Sequence, residues 1–277
     1  MDFDEIKLAL KFDSIQHDVD MYYGLSSLMG ACSATAIVAD TMLTGAVPRR
    51  KTHKSKVRNR LKLSAKGSFI QHFTLQVKDK DAAKAFRKIG KTTFSEVMTY
   101  YFYEGLFLKV PPLSKEAEAI IKSLEKVEEE LKETLKEPLK QLHDVSKKYH
   151  HKTILSYAKP GVWQVIANLD ESTVKNLTEV HEEPDTEKHL IRVSRFNTYT
   201  LNGRLVIKDS DETVAFGLYE LPRKEELAQS QLMSENLHIN NNGGVDDDYQ
   251  YLKATTKKLV LPTGVVVKYL ITEVTRP

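Results

Sequence analysis

The chain has 277 residues, 41% of them apolar and 29% charged, with a net charge of +3. That length supports a sizeable core without disulfides or metals, and the composition is that of a folded soluble protein rather than a disordered or fibrous one. A single cysteine, Cys32, excludes an internal disulfide and fits a reducing compartment, so a cytoplasmic location is expected.

Ile6, Leu8, Leu10 and Phe12 alternate with Lys7, Ala9 and Lys11. A period of two predicts a strand with one buried face. Asp18 or Asp20 is placed to cap a helix whose apolar residues run from Met21 to Leu43, and Gly45 and Pro48 mark its end. The uncharged run from Met21 to Ala39 contains Gly24, Ser26, Ser27, Gly30, Ser33 and Thr35. These small residues suit helix packing better than lipid, and the start of the chain lacks the basic and apolar pattern of a secretory leader, so no membrane span is expected.

The charge is uneven. Residues 1–40 hold seven acids and two bases, whereas residues 41–78 hold ten Lys and Arg and no acid. The centre of this segment is "PRRKTHKSKVRNRLK" at 48–62. Its first half has no periodicity and reads as a loop. From Val57 onward, Asn59, Leu61 and Leu63 alternate with Arg58, Arg60 and Lys62, and after a turn at Gly67 and Ser68 the alternation resumes through Phe69, Gln71, Phe73, Leu75 and Val77. The pattern predicts a hairpin with one apolar and one basic-polar face.

Residues 79–108 return to helical spacing, with Asp79 or Asp81 as cap, and end in the aromatic run "FSEVMTYYFYEGLFL", which predicts deep burial or a partner surface. Past Pro111 and Pro112, Ser114 opens a charged segment in which Ile120, Leu124, Val127, Leu131, Leu135, Leu139 and Leu142 recur every three or four residues. It reads as one long helix of about 50 Å, kinked at Pro138. After His151 strands dominate, broken by helices at 170–180 and 223–237. The expected architecture is α+β. Residues 1–151 form a domain with a three-stranded antiparallel sheet, covering helices and the long linking helix. Residues 152–277 form a mostly-β, barrel-like domain.

No catalytic or cofactor motif stands out, and neither a cofactor nor a metal is expected. "IGKTT" at 89–93 has the end of a phosphate-binding loop, but Ala85 stands where that loop needs its first glycine. His143, His150 and His151 lack the companions of a tetrahedral metal set, and Asp246, Asp247 and Asp248 lack calcium-loop spacing. The candidate site is therefore electrostatic. Arg49, Arg50, Lys51, Lys54, Lys56, Arg58, Arg60 and Lys62 offer phosphate contacts to nucleic acid or another polyanion. The competing readings are a solvated sheet face and a surface for an acidic protein. No aromatic side chain is interleaved between Pro48 and Lys66, which favours backbone contact over base stacking.

Three stretches also carry a resemblance: "DVDMYYGLSSLMGACSATAIVADTMLTGAV", "KLSAKGSFIQHFTL" and "VSRFNTYTLNGRLVI" at 193–207. Together they resemble an uncharacterised family of bacterial and archaeal proteins found near mobile elements and phage-defence genes. The resemblance implies an accessory or sensor role and no assigned activity. Arg195, Asn197 and Arg204 match the last stretch and make a possible anion pocket, with Gly203 expected in a turn. The expected function is a non-enzymatic interaction or sensor subunit that binds nucleic acid or another polyanion, with a protein partner or a second copy. The alternatives are an enzyme or nucleotide-sensing domain with a site between the two domains, and a structural subunit assembled through the long helix, Tyr101 and Phe102.

Overall fold

A computed structural model of the protein describes residues 4–14, 18–48, 55–62, 69–210, 212–219, 221–242 and 249–277. Two compact units divide the chain, Met1–Thr178 and Glu179–Pro277.

The first unit is built on a five-stranded antiparallel sheet in the order β2-β3-β1-β4-β5. Its strands are β1 (Asp4–Phe12), β2 (Val57–Leu61), β3 (Phe69–Val77), β4 (Thr153–Lys159) and β5 (Val162–Leu169). The hairpin and first strand form as their alternation predicts. The sheet has five strands where three were expected, because β4 pairs with β1 from Leu8↔Tyr157 to Phe12↔Thr153 and brings β5 with it. The boundary expected after residue 151 thus falls just before β4, inside the first unit. Local pattern identifies a strand at 162–169. It does not say which sheet that strand joins, since register is set by partners distant in sequence.

Helices lie on the face of this sheet that carries Ile6, Leu8, Leu10, Phe12, Phe73, Leu75 and Leu155, all buried. Asp20 caps α1 (Met21–Thr44) by accepting a hydrogen bond from the Tyr23 amide at 3.0 Å, and Gly45 closes it in the left-handed conformation at φ 72°. Asp79 caps α2 (Lys80–Ile89). The aromatic run forms α3 (Lys91–Gly105) and the residues just after it, and is buried at Phe94, Val97, Met98, Tyr101 and Phe102, while Phe107 is partly exposed.

The single long linking helix is not present. The segment divides into α4 (Lys115–Ser123), a 3-10 turn at Glu125–Val127, α5 (Glu128–Leu142) and α6 (Asp144–Tyr149). Leu131, Leu135, Leu139 and Leu142 are fully buried in the core cluster that also holds α1. The break near Leu124 lets both α4 and α5 pack against α3. Ser114 meets Glu96 at 2.8 Å, and Lys132 meets Glu104 at 3.0 Å. The narrow apolar seam is thus buried within the unit. α7 (Glu171–Thr178) completes the unit. By length and composition α1 is the one helix among the described residues apolar enough to cross a membrane, and 61% of that stretch is buried here.

The second unit is a closed barrel of β7 (Glu187–Asn197), β8 (Asn202–Ile207), β9 (Thr213–Leu218), β10 (Leu252–Val260) and β11 (Val266–Thr275), with the short β6 (His181–Glu182) added beside β10. Neighbouring strands are antiparallel except β9 and β11, whose parallel pairing, with β10 on β11 and β10 on β7, closes the cylinder. α8 (Arg223–Asn242) lies between β9 and β10 in sequence and buries Met233 in the barrel core, while Asn236 accepts from the Val193 amide. Gly203 lies inside β8, not in a turn. A Cβ there would stand 2.1 Å from the Arg195 carbonyl oxygen and 2.7 Å from the Phe216 ring, so glycine is required by close approach. The turn lies just before, where Asn197 accepts from the Tyr199 amide and Leu201 takes φ 58°.

Candidate nucleic-acid interface

Cross-strand register fixes which side chains share a face of the first sheet. Arg58 pairs with Gln76 and Glu5, Arg60 with Thr74 and Lys7, and His72 with Ala9 and Ser156. The Lys62 amide bonds the His72 carbonyl at 2.9 Å, extending the hairpin by one residue. Arg58, Arg60 and Lys62 therefore share a face with Lys7 and Lys11. The helices lie on the other side, where Asn59 of β2 donates to the Cys32 carbonyl of α1 at 2.7 Å. Of this set Lys7, Arg60 and Lys62 are exposed, and the partly covered Lys11 pairs with Asp13 at 3.2 Å.

Ser156 pairs with Val165, so Trp163, two residues before Val165 on β5, belongs to the same face. Its ring reaches toward His72, and the two centroids are 5.2 Å apart at an interplanar angle of 40°. Two strands separate their backbones, so the rings meet above the small side chains of Ala9 and Ser156, both buried. Trp163 nonetheless keeps 43% of its surface exposed. The face thus combines cations with an accessible indole, the combination used to hold single-stranded nucleic acid.

Of the eight basic residues proposed from sequence, Arg58, Arg60 and Lys62 come together here. Lys56 does not join them. It is close enough to Asp40 on α1 to pull that carboxyl down, although burial outweighs it and leaves Asp40 raised. Arg49, Arg50, Lys51 and Lys54 lie outside the described residues, as do Gly67, Ser68, Asp246, Asp247 and Asp248. Sequence reasoning missed Lys7, Lys11, His72 and Trp163 as members of the face. The alternation of Lys7 and Lys11 within β1 was readable. The place of Trp163 was not, because nothing local says that β5 joins the first sheet.

In the second unit, Arg195 and Arg204 stand opposite each other on β7 and β8, and Ala215 and Lys268 continue the row across β9 and β11. These three cations share one outer face of the barrel with Asn202, which accepts from Lys268 at 2.8 Å. Arg204 is anchored by donating to the hydroxyl and carbonyl oxygens of Thr213 at 3.2 and 3.0 Å. Asn197 serves the turn through its bonds to the Tyr199 and Thr200 amides. The structure therefore brings Arg195 and Arg204 together on an open strand row and gives Asn197 a structural task beside them. Tyr199, in the adjoining turn, is 79% exposed.

Two of the histidines considered above as metal ligands have structural explanations. His143 is buried, with Nδ1 2.6 Å from the Leu139 carbonyl and Nε2 2.8 Å from the Thr173 hydroxyl, and burial pushes its imidazole below the ordinary value. His150 caps α6 in the left-handed conformation and meets Glu171 at 2.6 Å. Among the described residues no three His, Cys, Asp or Glu side chains are grouped to hold a metal ion.

A family model described as a domain of unknown function (DUF7946) matches residues 10–179, more than half of the chain and nearly coincident with the end of the first unit. The protein belongs to this family. The match stops short of the stretch 193–207, so the barrel's Arg195 and Arg204 lie outside it. No curated protein and no solved structure matches the chain.

Proposed function

We propose that the protein is a non-catalytic nucleic-acid-binding subunit that holds a single strand across the basic face of its first sheet. The observation that carries this reading is the sharing of one face by Arg58, Arg60, Lys62, Lys7 and Lys11 with the exposed ring of Trp163. Cations spaced along neighbouring strands suit successive phosphates, and an indole offers a base a sequence-tolerant stacking surface. Thr74, buried between Arg60 and Lys7, has a hydroxyl without a protein partner.

The second unit supports the same reading. Its strands close in the order first, second, third, fifth, fourth, with a helix between the third and fourth, which is the connectivity of OB-type barrels. Such barrels bind oligonucleotides over their second and third strands. Here those strands carry Arg204 and adjoin Arg195 and Lys268. Architecture alone does not confer function, and the likeness has weight because these cations occupy that face. A foreign nucleic acid as ligand would accord with the defence setting that the sequence resemblance implies.

Fluorescence anisotropy with a labelled single-stranded oligonucleotide at several salt concentrations tests the proposal. Binding should weaken with salt. Replacing Lys7, Arg60 and Lys62 with Gln should lower the slope of log K against log salt by about 0.7 for each phosphate contact removed. An unchanged slope and affinity would remove the sheet face from the account.

A protein partner is the second reading. It is favoured by Met21, Tyr22, Leu25 and Met29, which leave a stripe of apolar surface exposed along the first half of α1. Light scattering on a variant carrying Leu25→Glu and Met29→Glu tests it. Loss of self-association supports this reading, and a monomeric parent protein would exclude a second copy as the partner.

A further inference from the structure

β1 and β4 pair only from Leu8↔Tyr157 onward, so their other ends separate. The opening is a cleft of about 930 Å³ lined by Lys7, Lys62, Lys91 and Lys159 together with Glu5, Gln76 and Ser95. Its volume is that of a small-molecule site. Three observations make it more than a gap between strands.

The first is charge. Four lysines face two carboxylates across the cleft. One carboxylate, Asp4, is already held by both Nε and Nη2 of Arg87, at 2.8–3.1 Å. The other, Glu5, accepts from Gln76 Nε2 at 3.0 Å. None of Lys7, Lys62 or Lys91 has an ion-pair partner among the described residues, so the cleft keeps an excess of positive charge. The second is the end of α3. Lys91 is its first residue, and no side chain caps the helix because Gly90 occupies the cap position. Lys91, which lines the cleft, thus stands at the end of the helix where its dipole is positive. This is the place of the "IGKTT" sequence, which lacks the rest of a phosphate-binding loop. The third is unfulfilled hydrogen bonding. Ser95 is 1% exposed and its hydroxyl has no partner, and Gln76 is 5% exposed and its Oε1 has none. A buried polar atom without a partner costs free energy, so two of them lining one cationic cleft point to a ligand that satisfies them.

We infer that this cleft binds a phosphorylated small molecule of nucleotide size. Its phosphate is met by Lys91 and Lys7 at the α3 end, Ser95 donates to it, and Gln76 Oε1 accepts from a hydroxyl or amine elsewhere on the ligand. Lys7 and Lys62 line this cleft and also belong to the strand face proposed for nucleic acid, whereas Ser95 and Lys91 belong to α3 alone, so variants of these two residues separate the sites.

The test is calorimetry and thermal denaturation of the full chain with AMP, GMP, CMP and UMP, with adenosine as the uncharged control. Octathymidylate with and without a 5′-phosphate forms a further arm. At least one monophosphate should bind and raise the melting temperature, and adenosine should not. Lys91→Gln should weaken that binding by about tenfold or more, the loss of a charge-assisted contact. Ser95→Ala should weaken it while leaving the unliganded protein as stable as before or more so, because an unsatisfied buried hydroxyl is removed. A merely structural Ser95 would give the opposite stability change. Neither variant should alter binding of the unphosphorylated oligonucleotide. The inference is overturned if no monophosphate binds at millimolar concentration, or if both variants bind as the parent does. It is also overturned if only the 5′-phosphorylated oligonucleotide responds to them, since the phosphate would then belong to a strand end.

Discussion

Trp163 on β5 and His72 on β3 meet across two intervening strands, their ring centroids 5.2 Å apart. The contact holds the indole beside His72, at an interplanar angle of 40°, while leaving 43% of Trp163 exposed. Held in this way, the ring loses little freedom when a base stacks on it. Trp163 is also the chain's one tryptophan, so its emission reports this face alone. Titration with a single-stranded oligonucleotide should quench that emission in parallel with the anisotropy change. Trp163→Ala should weaken binding by about 1–3 kcal/mol and leave the fold intact. Saturated binding with no change in emission would show that the strand lies elsewhere.

A buried charge cluster supports the helices beneath this face. Lys132 of α5 is within 3.0 Å of Glu104 and 3.1 Å of Glu128, and Tyr100 donates to Glu128 at 3.1 Å. Burial alone would lower the Lys132 ammonium, but the carboxylates of Glu104 and Glu128 overcome it and hold the group raised. Removing the cation takes away the ammonium that two largely buried acids share. Lys132→Met should therefore cost about 3–5 kcal/mol in urea denaturation. Adding Glu128→Gln to that variant should recover part of the loss. A change below about 1 kcal/mol would mean that the cluster behaves as an exposed one.

Gly30 sets the distance between α1 and α5. A Cβ there would stand 2.3 Å from the Leu142 nitrogen and 2.7 Å from the Pro138 carbonyl oxygen. Both atoms are backbone, so the helices must separate to make room. Gly30→Ala should lower stability by about 1–3 kcal/mol, against the modest gain expected for alanine in an unobstructed helix. A variant as stable as the parent would show that this crossing yields readily.

How far sequence reasoning reached follows from the range of the interactions involved. Asp20, Asp79 and Ser114 cap helices as their positions indicate, because capping is settled within three residues. The period-two pattern likewise identified the buried face of β1 and the basic-polar face of the hairpin. What escaped was every fact that depends on distant partners: β4 and β5 joining β1, the break near Leu124 that folds the charged segment onto α3, and the parallel closure of β9 on β11. Trp163 escaped for the same reason. The basic segment carries no aromatic side chain of its own, and Trp163 reaches its face from a strand distant in sequence.

The buried imidazole of His143 makes stability depend on pH. Burial lowers its affinity for a proton, with the Leu139 carbonyl opposing in part, and Asp144 and Asp170 are the charged groups nearby. In the unfolded chain the imidazole titrates near its ordinary value of about 6.5. As pH falls below that value the unfolded state binds a proton that the folded state resists. The contribution of His143 is thus complete above about pH 7 and declines on acidification, with a slope of at most about 1.4 kcal/mol per pH unit. His143→Gln does not titrate in this range and keeps a donor for Leu139. It should lower stability at pH 7.5, and its deficit relative to the parent should shrink at pH 5.5. Urea midpoints measured at both values decide the matter, because every other histidine is common to the two proteins. A deficit that stays constant between the two pH values would mean that His143 accepts its proton as readily folded as unfolded.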